Sequence, residues 1–152
     1  MVGPEVVLAV TSPTVWKMDP LRSYDEFSRS LRSFADWLPK EVSGATDLDC
    51  VMERNGSVLV LELKPWANGV TVPYGQYKTL KVLDAMGCHV YVIGETGKDV
   101  WYVMPLWQHM YDGEYLRKGS QMKWSEENFT RMTKAGLQRL VKRWWKNTEA
   151  DK

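Results

Sequence analysis

The polar residues best suited to chemistry lie within one strongly apolar stretch, Thr46 to Lys64. Asp47 and Asp49 stand before its central turn, and Glu62 and Lys64 stand after it. In a β-strand, residues i and i+2 project from the same face, so a hairpin could bring all four side chains together. Buried acids and lysines are costly unless they are paired or bind a metal. The pattern therefore predicts a functional site.

These residue types suit metal-assisted hydrolysis of a phosphodiester. Hard divalent cations such as Mg²⁺ or Mn²⁺ bind carboxylate oxygens, and Asp49 and Glu62 would supply two from adjacent strands. The main-chain carbonyl of Leu63 could supply a third oxygen, and Asp47 could hold a metal-bound water. Lys64 could orient or deprotonate the attacking water and stabilise negative charge on a phosphate.

A structural interpretation of the same residues is an ordinary ion pair. Glu62 and Lys64 on a solvated hairpin would contribute about 0–1 kcal/mol. The apolar residues around them favour a buried hairpin instead. We expect burial of Leu48, Val51, Val58, Leu59, Val60, Leu61 and Leu63.

The spacing of these residues resembles the core of the PD-(D/E)XK nuclease superfamily. Asp49 is followed by twelve intervening residues and then by Glu62-Leu63-Lys64, with Gly56 in the turn. This spacing is most similar to that of archaeal-type Holliday-junction resolvases and small phage-encoded nucleases. The resemblance covers about residues 44 to 94, and Leu48 stands where the family name has proline.

The resemblance implies a restriction-endonuclease-like core and Mg²⁺- or Mn²⁺-dependent cleavage of DNA. It makes Asp49 and Glu62 metal ligands and Lys64 the residue that orients water or stabilises charge. It also implies that a glutamate on the preceding helix, best matched by Glu26, completes the metal site, and that Gln76 positions groups from the following helix. Resolvases of this kind usually act in DNA recombination and repair as homodimers that pair two cuts.

Two observations bear on these assignments. Ser23 and Glu26 form a capping box at the start of a helix predicted to run to about Leu38, which explains Glu26 without a metal. Leu80 stands where the recombination-exonuclease branch has tyrosine, which disfavours that branch. An exonuclease or flap nuclease, and a catalytically silent module that binds DNA or protein, remain the alternatives.

Length and composition predict one folded domain over residues 1–152, with a core at about 21–107. The chain is 44% hydrophobic and 26% charged, and no window has the roughly 20 apolar residues that a membrane span requires. The start does not resemble a signal peptide, so we expect a cytoplasmic protein that does not enter membranes. Cys50 and Cys88 have no metal-ligand spacing and are interpreted as buried thiols.

The remaining pattern predicts an α/β fold with a mixed sheet of about four strands flanked by helices. The hairpin is followed by a helix at 76–86, which would cross over to strands at 89–93 and 100–106. The segments 65–75 and 108–123 read as a loop and as irregular chain. Lone His89 and His109 are interpreted as structural or surface residues.

A basic and aromatic helix is predicted at the C-terminal side, from Ser125 to about Trp145. Its apolar stripe comprises Phe129, Met132, Leu137, Leu140, Val141 and Trp144, and no acid occurs from 128 to 148. The basic residues could form a solvated face, a dimer or partner interface, or a phosphate-binding surface on which Trp144 or Trp145 stacks against bases. The net charge is only +1, with −3 over residues 1–70 and +4 over 71–152, which gives modest support for a DNA partner.

Overall fold

The computed structural model describes residues 48–149. The predicted first helix, with Glu26, and the predicted ligand Asp47 lie outside these residues. The elements in chain order are β1 Cys50–Arg54, β2 Ser57–Pro65, β3 Gly69–Pro73, α1 Tyr74–Ala85, β4 His89–Glu95, β5 Trp101–Pro105, α2 Leu106–His109, β6 Glu114–Leu116, β7 Gln121–Ser125, a 3₁₀ turn Glu126–Asn128, β8 Thr130–Met132 and α3 Lys134–Asn147.

A mixed five-stranded sheet forms the centre of the fold, in the order β1-β2-β4-β5-β8. Strands β2 and β4 are parallel and are joined by the crossover helix α1, whereas every other neighbouring pair in this sheet is antiparallel. Strand β2 is covered on both faces, which explains its continuous apolar run Val58 to Leu61 in place of simple alternation.

The β1–β2 hairpin is set by a two-residue turn at Asn55 and Gly56. Their φ angles are +50° and +84°, the left-handed pair that a type I′ turn requires. This turn pairs Arg54 with Ser57 and carries the register up to Cys50 and Leu61. A one-residue slip would reverse the face of every β2 side chain, so the turn determines which face Glu62 occupies.

The two faces of the main sheet are covered by different elements. On one face, α1 and a second sheet, β3-β7-β6, pack against Val60, Val92 and Met104. On the other face, α3 inserts Trp144 against Leu59, Leu61, Ile93 and Val103. Alternation along β2 assigns Glu62 and Lys64 to the face shared with Val60 and α1.

The structure confirms the α/β class and corrects the strand count. The main sheet has five strands where about four were predicted, and the second sheet was not predicted. Strand β3 lies in the segment 65–75 that was interpreted as a loop. Strand β6 lies in the segment 108–123 that was interpreted as irregular, and α2 and β7 overlap the two ends of that segment. These short strands are stabilised by pairing with distant segments, such as Val70 with Trp124, and glycine and proline around them mask the local signal.

The last helix begins later than predicted. Ser125 ends β7, Glu126–Asn128 form only a 3₁₀ turn, and Thr130–Met132 pair with β5 as an edge strand. Helix α3 starts at Lys134, where Thr133 is the N-cap and its Oγ1 accepts the amide hydrogen of Gly136 over 3.2 Å. Sheet pairing at β8 therefore overrides the acidic first-turn signal at Glu126 and Glu127.

Candidate active site

Asp49 reaches across the open end of the β1–β2 hairpin. The ladder ends at the pair Cys50–Leu61, and one further step in that register sets Asp49 opposite Glu62. Beyond that pair, Asp49 Oδ2 accepts the backbone N–H of Leu63 over 2.8 Å, so the aspartate takes the place of a backbone acceptor. The carboxylate is thereby held beside β2, immediately before the first residue of β1.

The carbonyl of Leu63 belongs to the same edge of the strand. In a β-strand, the N–H and C=O of one residue project toward the same neighbouring strand. Because the Leu63 N–H bonds Asp49 on the β1 side, we expect the Leu63 carbonyl to face that side as well. Asp49 and this carbonyl are then two oxygen groups on one side of β2.

Glu62 is a buried carboxylate with different surroundings at its two oxygens. The residue is 1% exposed, and Oε1 accepts a hydrogen bond from Nε2 of Gln76 over 2.5 Å. Nζ of Lys64 lies 3.4 Å from the same Oε1. Among residues 48–149, no donor contacts the buried Oε2. A buried oxygen in this condition favours a proton or a cation as its partner.

The surroundings of Glu62 raise the pKa of its carboxyl from the ordinary value of 4.5 to about 7. Burial is the largest cause, because it penalises the charged form, and the negative charge of Asp49 raises the pKa further. The ammonium of Lys64 lowers it in part. Two neighbouring carboxyl groups whose negative charges repel each other are a common arrangement at sites of cation binding and catalysis.

Lys64 lies beside an aromatic pair that the sequence pattern did not reveal. Trp66 stacks on Tyr102 with ring centroids 3.7 Å apart, over the Cα of Gly94, which is paired with Lys64 in the sheet. A side chain at Gly94 would collide with the Trp66 ring at 2.5 Å. The side chain of Lys64 is 19% exposed and so keeps access to solvent. The parallel register of β2 and β4 pairs Lys64 with Gly94, and the antiparallel register of β4 and β5 pairs Gly94 with Tyr102.

The donor set is compatible with Mg²⁺ or Mn²⁺. Over residues 48–149, no cluster of three or more His, Cys, Asp or Glu side chains could hold a metal. Mg²⁺ needs only one or two carboxylates, because water and substrate phosphates complete its octahedral shell. Asp49 and Glu62 would supply those carboxylates, and the donorless Oε2 of Glu62 is the observation that fits a cation.

The structure brings together five of the seven residues predicted for the site: Asp49, Glu62, Leu63, Lys64 and Gln76. Glu26 and Asp47 lie outside the described residues. The hairpin core is buried at Leu59, Val60 and Leu61, whereas Leu48, Val51, Val58 and Leu63 are only half-buried. The predicted helix at 76–86 is α1, and Gly87 follows its C-cap with φ +96° as expected.

Helix α3 lies on the face of the sheet opposite Glu62, so its basic residues form a separate surface. Trp144 is buried at 6% exposure and packs in the core, which excludes it as a stacking platform in this conformation. Trp145 is 41% exposed and lies beneath the guanidinium of Arg54, whose carbon is 4.1 Å from the ring centroid. Arg54 also donates to the Trp145 carbonyl over 2.6 Å, which joins the hairpin turn to α3.

The remaining candidates occupy structural or surface positions. His89 is exposed, and Nδ1 of His109 lies 2.9 Å from Oδ2 of Asp112. Cys50 and Cys88 are half-buried free thiols, where full burial was expected, and burial raises the pKa of both.

In the part of the chain that the structure describes, no helix is both long and apolar enough to span a membrane.

Comparison with known proteins provides no family assignment. Neither the family models nor the curated protein sequences include a match to this chain.

Proposed function

We propose that this protein hydrolyses DNA phosphodiester bonds with Mg²⁺ or Mn²⁺ as its cofactor. One observation carries the proposal: Glu62 is a fully buried carboxylate whose Oε2 has no donor among the described residues. The negative charge of Asp49 raises the pKa of Glu62, which indicates that the two carboxyl groups lie close together. A bound divalent cation would relieve both the repulsion and the burial cost.

The residues of the site take distinct roles in this proposal. The cation, when bound, supplies Lewis-acid stabilisation of charge on the phosphate and lowers the pKa of a bound water. Asp49, Glu62 and the Leu63 carbonyl would hold it, and Gln76 fixes the orientation of Glu62 through Oε1. Lys64 orients the attacking water or stabilises negative charge on the phosphate.

The proposal includes a restriction-endonuclease-like core and two ancillary acids. The order of hairpin, crossover helix and parallel strand supports such a core, since it matches the order expected from the Asp49, Glu62 and Lys64 spacing. Glu26 and Asp47 would complete the site from the residues that precede β1.

The substrate class we favour is branched DNA, and the activity is that of a structure-specific endonuclease such as a Holliday-junction resolvase, acting as a homodimer. Cleavage of flaps or ends is the enzymatic alternative.

A catalytically silent module that binds DNA or protein is the second candidate. The observation in its favour is that Oε1 of Glu62 already has two protein partners, Gln76 Nε2 and Lys64 Nζ. Such a network can persist as a structural ion pair without any reaction. This candidate predicts binding of DNA or a protein partner, with no metal-dependent cleavage.

The decisive experiment incubates the protein with labelled duplex, single strand, flap and four-way-junction DNA, in Mg²⁺, Mn²⁺ or EDTA. We expect cleavage only with metal, and a loss of at least about 10²-fold in Lys64→Ala, because one strong electrostatic stabiliser is removed. Lys98→Ala, an exposed lysine in the β4–β5 turn, is the matched control and should cleave normally.

Each outcome assigns the function differently. Cleavage that survives in Lys64→Ala would exclude the proposed role of this lysine. Tight binding to DNA with no cleavage in any metal would establish the silent module. The DNA that is cut fastest identifies the branch, and sedimentation of a strict monomer would contradict the resolvase assignment.

A further inference from the structure

A cluster of tyrosines and lysines surrounds the first turns of α1, and nothing in the proposed chemistry uses it. We call this the tyrosine–lysine surface. It consists of Tyr74, Tyr77, Lys78, Lys81, Tyr111 and Tyr115. Its members come from α1, from the chain after α2 and from β6, so the tertiary fold assembles it.

Tyr115, Tyr74 and the buried Tyr77 form a chain of ring contacts, and Lys81 lies between this chain and Tyr111. Tyr115 meets Tyr74 edge to face at 5.1 Å between centroids, and Tyr74 lies 5.8 Å from Tyr77. Lys81 joins the other end, because its Nζ is 6.0 Å from the Tyr77 ring centroid and 5.5 Å from that of Tyr111. The Tyr74 amide donates to the Ser120 carbonyl over 2.9 Å, which anchors the start of α1 to the β6–β7 turn.

The outer rings of the surface are exposed to solvent, Tyr111 most of all. Tyr74 is 37% exposed, Tyr115 50% and Tyr111 83%. Contiguous exposed aromatic groups usually mark a binding site. Rings of this kind offer flat faces on which nucleic-acid bases stack, at about 1–3 kcal/mol per base.

The charges beside these rings favour a polyanion. Lys78 and Lys81 are both exposed and lie next to Tyr74 and Tyr111. Three acids are near in sequence, and one of them, Asp84, follows Lys81 by three residues on α1. Asp112 is already paired with His109, and Glu114 is opposite Lys123 in the second sheet. The combination of stacking rings and two exposed lysines suits the alternating bases and phosphates of a single nucleic-acid strand.

The position of the surface links it to Glu62. Gln76, whose amide bonds Glu62, lies between Tyr74 and Tyr77 in the first turn of α1. The surface is therefore on the same side of the main sheet as Glu62 and Lys64. The basic residues of α3 are on the helix that packs on the opposite side of the sheet.

We propose that the tyrosine–lysine surface binds single-stranded DNA that leads into the site at Glu62. Bases stack on Tyr74, Tyr111 and Tyr115, while Lys78 and Lys81 contact phosphates. This inference rests on the proposed nuclease function only in the statement that the bound strand is cleaved. It specifies the substrate as DNA with a single-stranded segment next to the cut, such as a flap or the unpaired centre of a junction.

The test measures binding by fluorescence anisotropy in EDTA, with labelled single-stranded and duplex DNA of equal length. For Tyr111→Ala and Tyr115→Ala we expect affinity for the single strand to fall about 5- to 100-fold each. Affinity for the duplex should change much less. Tyr111 is so exposed that its loss should leave the fold intact, which circular dichroism would verify.

Matched variants separate stacking from general damage. Tyr115→Phe keeps the ring but removes the contact with Ser120 Oγ, and should bind normally. Met86→Ala removes an exposed apolar group at the far end of α1 and should also bind normally. Lys81→Gln should weaken binding and reduce the salt dependence by about one phosphate contact, whereas Lys146→Gln on α3 should not.

The inference and the nuclease proposal can fail separately. Unchanged single-strand binding in both alanine variants, or an equal loss for the two DNAs, would overturn the inference even if cleavage depends on Lys64. Ring-dependent binding in a protein that cuts no DNA would overturn the nuclease and leave the surface established.

Discussion

Gln76 donates a hydrogen bond from Nε2 to Oε1 of Glu62 over 2.5 Å, which connects the first turn of α1 to strand β2 of the main sheet. Both side chains are buried, at 8% and 1% exposure. The amide determines which oxygen of Glu62 is engaged within the protein. The other oxygen is left for a proton or a cation, so α1 controls the orientation of the carboxylate that β2 carries.

Replacement of Gln76 tests this control. We expect Gln76→Leu to fold and to lose about 10- to 100-fold in Mn²⁺ affinity or in cleavage rate, the usual effect of removing a group that orients a metal ligand. Calorimetric titration with Mn²⁺ and the cleavage assay both measure it. Gln108→Leu, at an exposed position in α2, is the control. Unaltered Mn²⁺ affinity and cleavage in Gln76→Leu would show that Glu62 needs no such support.

Substitutions at Asp49 separate its structural role from its chemical one. Asp49→Asn keeps an oxygen that can accept the Leu63 N–H but removes the negative charge. We expect its stability to be near that of the unaltered protein, with cleavage reduced by at least about 10²-fold. Asp49→Ala should additionally lose about 1–3 kcal/mol in the free energy of unfolding, because a part-buried N–H loses its acceptor. Full cleavage by Asp49→Asn would remove Asp49 from the metal site.

The pKa of Glu62 predicts how stability depends on pH in the absence of metal. The folded protein holds the Glu62 proton up to about pH 7, whereas the unfolded chain releases it near the ordinary value of 4.5. Between these values the folded state binds more protons, so this residue makes the free energy of unfolding fall as the pH rises. The contribution is fully present below about pH 4.5 and is lost above about pH 7.

Urea unfolding in EDTA at a series of pH values measures this dependence. The slope attributable to Glu62 should approach about 1.4 kcal/mol per pH unit at most, the value for one proton. Glu62→Gln carries no titrating group at this position and should lack that component. Identical pH profiles for the two proteins would mean that the Glu62 pKa is not raised.

Gly94→Ala tests the contact between the main sheet and Trp66. The new Cβ would lie 2.5 Å from the Trp66 ring, which would have to leave its stack on Tyr102. We expect a loss of about 1–3 kcal/mol, as for other overpacked core positions. Gly75→Ala is the control, since a Cβ there meets nothing within 4 Å. Thermal unfolding should show a lower Tm for Gly94→Ala only, and equal Tm values would contradict the close contact.

Local signals were sufficient for the elements that surround Glu62. The dipeptide Asn55-Gly56 between two apolar runs predicted the hairpin. Few other dipeptides easily adopt positive φ angles at two consecutive residues, as a type I′ turn requires. The helix predicted from Gln76 and the strand predicted from His89 were recognisable by periodicity and by Gly87 at the helix end, although α1 begins two residues earlier, at Tyr74. These features depend on residues within a few positions of one another.

Long-range pairing decided what the local pattern missed. Strand β3 exists because it pairs with β7, about 50 residues away in sequence, and β8 exists because it extends β5. In both segments the local composition favours a loop or the start of a helix. Burial of Trp124 and Met122 against the main core outweighs that preference.

The sequence by itself determined the chemical set: two carboxylates, a lysine and a backbone carbonyl at a spacing that a hairpin can bring together, with Gln76 on the next helix. The tertiary structure alone decided how they meet. The strand pairing of the hairpin ends at Cys50, so the preceding residue, Asp49, accepts the Leu63 amide hydrogen with its side chain. Helix α1 places Gln76 within hydrogen-bond distance of one oxygen of Glu62. The tertiary structure also brings the residues of the tyrosine–lysine surface together and packs α3 on the opposite face of the main sheet. The physical reason is that side-chain spacing along a strand is local, whereas burial and hydrogen-bond partners depend on which distant elements pack together.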